Sequence, residues 1–237
     1  MWAGTYEPHV RACLDSLVEP GHVYFDVGGH IGYHAVAAAH KVGANGQVFA
    51  FEADPMMYER LAGNLRQFSW ALATHAAVWK HASTLTFARS PVAHESGWGT
   101  LSAVRDFDTG EHLDVRAVSL DEWCREKSLT RWDMMKLDAE GSELAVLHGA
   151  QDALQKFRPN LIVEINGIVL NHSGISPAQV VDYLEARSYR LFSISFGRLE
   201  SWNLAKHGQF SDVLCLPATR VTAALERLAQ AEFVLSD

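Results

Sequence analysis

Two textures alternate along most of the chain. Short continuous apolar runs predict buried strands, and apolar residues recurring every three or four positions predict helices. His22–Val27 reads HVYFDV, β-branched and aromatic and nearing its end with an acid, and is expected to be a buried strand. A glycine-bearing turn, Gly28–Gly32, follows it. Ile31, Ala35, Ala38, Ala39 and Val42 then recur at helical spacing, and Gly43 stands where a helix stops. Gln47–Glu52 is a second strand ending in an acid. Asp54 and Pro55 suit the start of a helix faced by Leu61, Leu65 and Phe68, and Ala71–Val78 is a third, weaker strand.

The rhythm then breaks. Thr84–Ala88 and Val115–Val118 read as short strands, and Ser90–His112 between them is polar and glycine-bearing, with Trp98 and Phe107 embedded. A connection this long inside a compact domain is usually functional or disordered. Ser119–Lys127 reads as a short helix. The alternation returns with a strand at Asp133–Asp138, a helix at Ser142–His148 stopped by Gly149, and a strand at Asn160–Ile165. Ser176 and Pro177 open a helix whose inner face carries Val180, Val181 and Leu184. Strands at Tyr189–Ile194 and Asp212–Leu216 precede an amphipathic tail helix marked by Val221, Leu225 and Leu228. This order predicts an α/β, Rossmann-like, mostly parallel sheet with helices on both faces and a ligand at the strand carboxyl ends. Residues 1–21 are expected to form an N-terminal helical cap. Residues 22–237 form a single domain with a substrate-side insertion around 89–114.

Composition narrows the function. The 237 residues are 48% hydrophobic and 20% charged, which excludes disorder as the main state. A net charge of −8 argues against a broad nucleic-acid face. Cys13, Cys124 and Cys215 are far apart, make neither a disulfide framework nor a zinc pair, and fit a reducing compartment. No apolar run reaches the ~18 residues of a membrane span, and the start lacks a secretion-signal pattern, so a cytoplasmic protein is expected.

The strongest chemical feature is Asp26-Val-Gly28-Gly29-His30-Ile-Gly32, placed directly between a strand and a helix. Its glycines lack the GxGxxG spacing of a dinucleotide site, and Asp26 would repel a pyrophosphate while attracting a cationic cofactor. Glu52 stands 20 residues after Gly32, where an acid suits a ribose diol. The two acids together describe a pocket for S-adenosylmethionine. A second constellation, Lys136-Leu-Asp138-Ala-Glu140-Gly141-Ser142-Glu143, leaves a strand and opens a helix. Glu143 there reads as a complement to the helix dipole. Asp138 and Glu140, with Glu164 and Asn166 at the next strand end, are placed to act as a base, hold a substrate or bind a divalent cation.

The blocks DVGGHIGYHAVAAA, VFAFEADPMMYERLAGNL, MMKLDAEGSELAVLHGA and LIVEI together resemble the FkbM family of S-adenosylmethionine-dependent methyltransferases. The resemblance implies a class I methyltransferase fold, with a seven-stranded sheet whose last strand is antiparallel. It also implies O-methylation of a small-molecule hydroxyl, on a sugar or secondary metabolite. Family cofactor positions fall on Asp26, Gly28, Gly32 and Glu52. Gly29, His30, Ala53, Ala76 and Asp138 are expected to line the same pocket, and Asn64 fits an asparagine-leucine pair of the following helix. Gly29-His30 departs from the expected alanine-asparagine.

Asp138 and Glu140 are the expected catalytic acids, with Glu164 or Asn166 assisting. His30 and His34 are rival bases, sharing a helical flank if the helix begins at residue 30. A divalent cation is an option that is not favoured, and His30-Ile-Gly-Tyr-His34 lacks the glutamate of a HExxH zinc site. Trp98 in the insertion, and Trp202, His207 and Phe210 before the last strand, are candidate acceptor rims. The expected partner is a small-molecule hydroxyl acceptor, with no nucleic acid and no membrane, and a homodimer through the tail helix is an option. The competing readings are an N-methyltransferase of a small amine, a non-catalytic S-adenosylmethionine-binding module and a nicotinamide oxidoreductase. The glycine spacing and Asp26 argue against the last.

Overall fold

The structure is a computed structural model that describes residues 6–88, 100–101 and 112–236. In chain order, its first half contains α1 (Pro8–Leu17), β1 (Val23–Val27), α2 (Tyr33–Val42), β2 (Gln47–Glu52), α3 (Pro55–Leu65), β3 (Ala71–His75), β4 (Ala77–Val78), β5 (Ser83–Ala88), β6 (Thr100–Leu101) and β7 (His112–Val118). The second half contains α4 (Leu120–Glu126), β8 (Met134–Leu137), α5 (Glu143–His148), α6 (Gln151–Phe157), β9 (Asn160–Asn166), α7 (Gly167–His172), α8 (Pro177–Glu185), β10 (Tyr189–Ser195), β11 (Arg198–Ser201), α9 (Leu204–His207), β12 (Phe210–Pro217), α10 (Val221–Gln230) and β13 (Val234–Ser236).

The central strands carry no polar alternation because helices cover both of their faces. β1 is buried at every position, and so is β8. One face packs Phe25, Phe51, Trp132 and Leu137 against α4 to α8, and the other packs Tyr24, Ala50, Met134 and Ile162 against α1, α2 and α10. The main sheet runs in the order β13-β11-β10-β12-β9-β8-β1-β2-β3. β1 is parallel to β2 and β8, β8 to β9 and β2 to β3, while β12 runs antiparallel to both β9 and β10. Among the seven strands from β10 to β3 the one reversed strand is β12, the last of the seven in the chain, as the class I fold expects.

The strand count differs from the expected seven. The sheet has nine strands, because β11 and β13 add a short edge beyond β10. The third expected strand also divides. β3 stays in the main sheet, the Ala76 N–H turns to the Glu52 carbonyl at 3.1 Å, and β4 joins β7 in a separate four-stranded sheet ordered β4-β7-β5-β6. This small sheet buries Ala77, Phe87, Leu101, Val115 and Ala117 among themselves. The expected insertion lies largely outside the described residues, Trp98 and Phe107 included. β5 and β7 bound it, β6 lies within it, and all three join β4 in the small sheet.

Candidate active site

Four strand ends converge on a cavity of about 900 Å³, walled by the turns after β1, β2 and β8, by the end of β9, and by Phe87 and Leu101 of the small sheet. The glycine turn is tied to β2 by the N–H groups of Gly28 and Gly29, which both donate to the Phe51 carbonyl, at 3.1 and 2.9 Å. Gly28 has φ +79°, and a Cβ there would lie 1.8 Å from the Asp138 carbonyl oxygen. Only glycine lets the β1 turn touch the β8 turn. Gly32, at φ +88°, caps α2, and a Cβ there would meet Leu61 Cδ1 at 2.8 Å. Its smallness serves the approach of α3. Asn64 fixes the same turn from α3 by donating to the Ile31 carbonyl at 2.8 Å.

His30 lies in the turn with φ +49°, and α2 begins only at Tyr33. His30 and His34 therefore do not share a helical flank. The His30 side chain faces the cavity, where burial lowers its proton affinity against the opposing pull of Asp138. Its backbone N–H donates to Glu52 Oε2 at 2.8 Å, and the Asp54 N–H donates to Glu52 Oε1 at 2.8 Å. Burial raises the Glu52 pKa to about 7 although these N–H groups oppose the rise. Ala53 and Ala76 line the wall beside it.

Asp26 is 1% exposed, and its Oδ2 is buried without a hydrogen-bond partner among the described residues. Burial raises its pKa, with His34 and Lys136 opposing. The sheet register sets Asp26 beside Lys136 and sets Glu164 beside Asp212, on the face covered by α1 and α2. A layer of ionisable groups thus crosses four adjacent strands. Lys136 Nζ donates to Asp138 Oδ2 at 2.8 Å, and Asp138, Asp26 and Glu7 raise its pKa despite burial. Burial, then the Asp138 carboxylate, pushes Glu164 to hold its proton far above the usual carboxylate range.

Glu140, at φ +47°, also lines the cavity. Glu143 is buried and holds the loop, its Oε1 accepting from the N–H groups of Ala139 at 2.9 Å and Gly141 at 3.2 Å. Asn166 lines the cavity and caps α7 through Oδ1, which accepts from the Val169 N–H. Of the second expected rim, Phe210 reaches the cavity. Trp202 instead donates to Ser211 Oγ, and His207 is buried with Nδ1 accepting from the Asn203 N–H.

Sequence reasoning missed Glu7 and Tyr6, and Lys136 as a site residue. Glu7 Oε2 accepts from His34 Nε2 at 2.8 Å and lies 3.6 Å from Lys136 Nζ. Burial would raise its pKa, but His34 and Lys136 outweigh this and hold it at about 2. One carboxylate oxygen each from Glu7, Asp138 and Glu164 lie within 4.8 Å of one another.

The sheet order, the glycine turn and the two strand-tip acids define a class I S-adenosylmethionine methyltransferase fold. The chain belongs to the FkbM methyltransferase family, whose domain, described as Methyltransferase FkbM domain, matches residues 26–191. Hexuronic acid methyltransferase AglP of Haloferax volcanii is 29% identical over 176 residues, covering 74% of this chain and 66% of that protein. The crystal structure of Methyltransferase FkbM from Methylobacillus flagellatus KT superposes with a TM-score of 0.51 at 15% identity, covering 82% of this chain and 43% of that one. An O-methyltransferase from Bacillus cereus, solved in complex with SAH, gives a TM-score of 0.51 at 13% identity, covering 90% of this chain and 82% of that one. The chain thus spans about two thirds of AglP and under half of the Methylobacillus protein.

Proposed function

We propose that this chain transfers a methyl group from S-adenosylmethionine to a hydroxyl of a small, sugar-like molecule in the cytoplasm. One observation carries the reading: the tips of β1 and β2 present Asp26 and Glu52 to a single cavity whose far wall carries Asp138 and Glu164. The residues fit the cofactor. The unpartnered buried oxygen of Asp26 suits a cationic aminoacyl end, and Glu52, oriented by two backbone N–H groups, suits a ribose diol. Gly28, Gly29, His30, Ala53 and Ala76 complete that wall, with Gly32 holding its shape.

S-adenosylmethionine supplies an electrophilic methyl on a cationic sulfur. Displacement at such a carbon is in-line, so the walls contribute mainly alignment. The acceptor hydroxyl must still lose its proton, a task typically worth ~10²–10⁴-fold. Asp138 takes it in this reading, with Lys136 holding the carboxylate in place and Glu140 and His30 flanking. The Lys136 ammonium already supplies positive charge among the carboxylates, which favours a reaction without a divalent cation. The similarity to the hexuronic acid methyltransferase AglP supports a sugar acceptor.

Asp138→Asn tests the assignment with tritiated S-adenosylmethionine and two probes, methyl glucoside and methyl glucuronide. Turnover is expected to fall ~10²–10⁴-fold with cofactor affinity within about threefold. Unchanged turnover removes Asp138 from the mechanism.

A further inference from the structure

Glu7 lies outside the 26–191 region that matches the family, yet its carboxylate stands inside the site. It occupies the N-cap position of α1 with φ +42° and makes no side-chain cap bond. A left-handed backbone at a non-glycine residue is uncommon, and here it turns the carboxylate inward. There it accepts from His34 at 2.8 Å and lies 3.6 Å from the Lys136 ammonium, which itself donates to Asp138 at 2.8 Å. One ammonium therefore serves two carboxylates directly, with Glu164 close enough that one oxygen from each of the three carboxylates falls within 4.8 Å. Carboxylates this close cannot all ionise freely, and the one least compensated keeps its proton. Glu164 makes no ion pair among the described residues.

The geometry points to Glu7 as a positioning residue for methyl transfer: it holds His34 and Lys136 from the N-terminal side, keeps the ammonium on Asp138, and sets a third carboxylate beside Asp138 and Glu164. The consequence for turnover rests on the methyl-transfer reading, but the titration that tests it does not. The charged and titratable groups around Glu7 are Tyr6 and His9 on its own segment, Tyr24 and Asp26 on β1, His34 on α2, Lys136 on β8 and Asp138 just after it, Glu164 on β9 and Asp212 on β12. His9 donates to Asp212 at 2.6 Å and so ties α1 to the far side of the same layer.

The test is carboxyl-carbon NMR of the full chain, with Glu164 assigned through Glu164→Gln. Glu7→Gln removes one negative charge beside Glu164. The Glu164 midpoint is expected to move down by about one pH unit or more. Glu7→Asp retains the charge and is expected to return it most of the way. Val10→Ala loosens buried α1 with Glu7 intact and should leave it in place. S-adenosylhomocysteine calorimetry on each variant reports whether the pocket is folded. If turnover is present, the acid limb of kcat/KM moves to lower pH in Glu7→Gln while cofactor KM stays constant. A Glu164 midpoint within about 0.3 pH unit of the parent in Glu7→Gln, or an equal shift in Val10→Ala, would overturn the proposal. Failure of the parent chain to bind S-adenosylhomocysteine would instead count against the methyl-transfer reading, leaving the titration to judge Glu7.

Discussion

Replacing Gly28 with alanine probes the joint on which the site is built. The new Cβ would sit 1.8 Å from the Asp138 carbonyl oxygen and 2.9 Å from its carbon, while real Cβ contacts essentially never fall below 3.0 Å. The β1 and β8 turns must therefore part by at least 1.2 Å, the difference between 3.0 and 1.8 Å. Both partners are backbone, so no side-chain rotation relieves the clash. The left-handed φ adds about 1–2 kcal/mol on its own. Displaced backbone on two buried strand ends brings the total to about 3–5 kcal/mol. A misplacement near 1 Å at reacting groups costs on the order of 10²-fold in rate. Gly174→Ala is the control, because Gly174 has φ +72° but nothing within 4 Å of a built Cβ. Urea denaturation of both variants, with S-adenosylhomocysteine binding measured alongside, separates clash from backbone strain. If Gly28→Ala is no less stable than Gly174→Ala and binds equally well, the contact between the two turns does not position the site.

Three further outcomes are expected. Burial lifts Glu143 from 4.5 to about 7, so the stability tied to its neutral form is fully present below 4.5 and is lost as pH rises through 7. Glu143→Gln keeps the acceptor for Ala139 and Gly141, and should flatten that decline and gain up to about 3 kcal/mol at pH 8 in denaturant melts. An unaltered pH profile would refute the ionisation. Glu52→Gln must point an amide nitrogen at either His30 or Asp54, costing about 1–3 kcal/mol and weakening S-adenosylmethionine ~10–100-fold by calorimetry. Retained affinity would remove Glu52 from the cofactor wall. Exhaustive chelation should leave turnover within about twofold, and loss restored by Mg²⁺ would assign the Glu7, Asp138 and Glu164 oxygens to a cation.

What was legible in the sequence follows from where each signal is local. β1, β2 and β8 were readable because strands covered on both faces become continuous apolar runs, and Asp54 and Ser176 announced helix starts that the structure caps as expected. Ala71–Val78 read as one strand because its apolar residues continue through Ala76. The break there is a tight turn, with the Ala76 N–H also 3.0 Å from the Thr74 carbonyl, after which the chain leaves β2 and β4 pairs with β7, a long-range change of partner that no periodicity encodes. β11 and β13 were missed because they are short edge strands, with Val234 and Leu235 largely exposed and little apolar pattern to notice. The strand-tip acids could be read from their offset to the glycine turn. Glu7 could not, since its role depends on α1 folding back over Lys136 and His34, residues far along the chain.

The most direct measurement is calorimetric titration of S-adenosylhomocysteine into the purified chain and into Glu52→Gln. The account predicts one-to-one binding with a dissociation constant on the order of micromolar, weakened at least tenfold in the variant. No detectable heat in the parent chain, or identical binding in both, would contradict it.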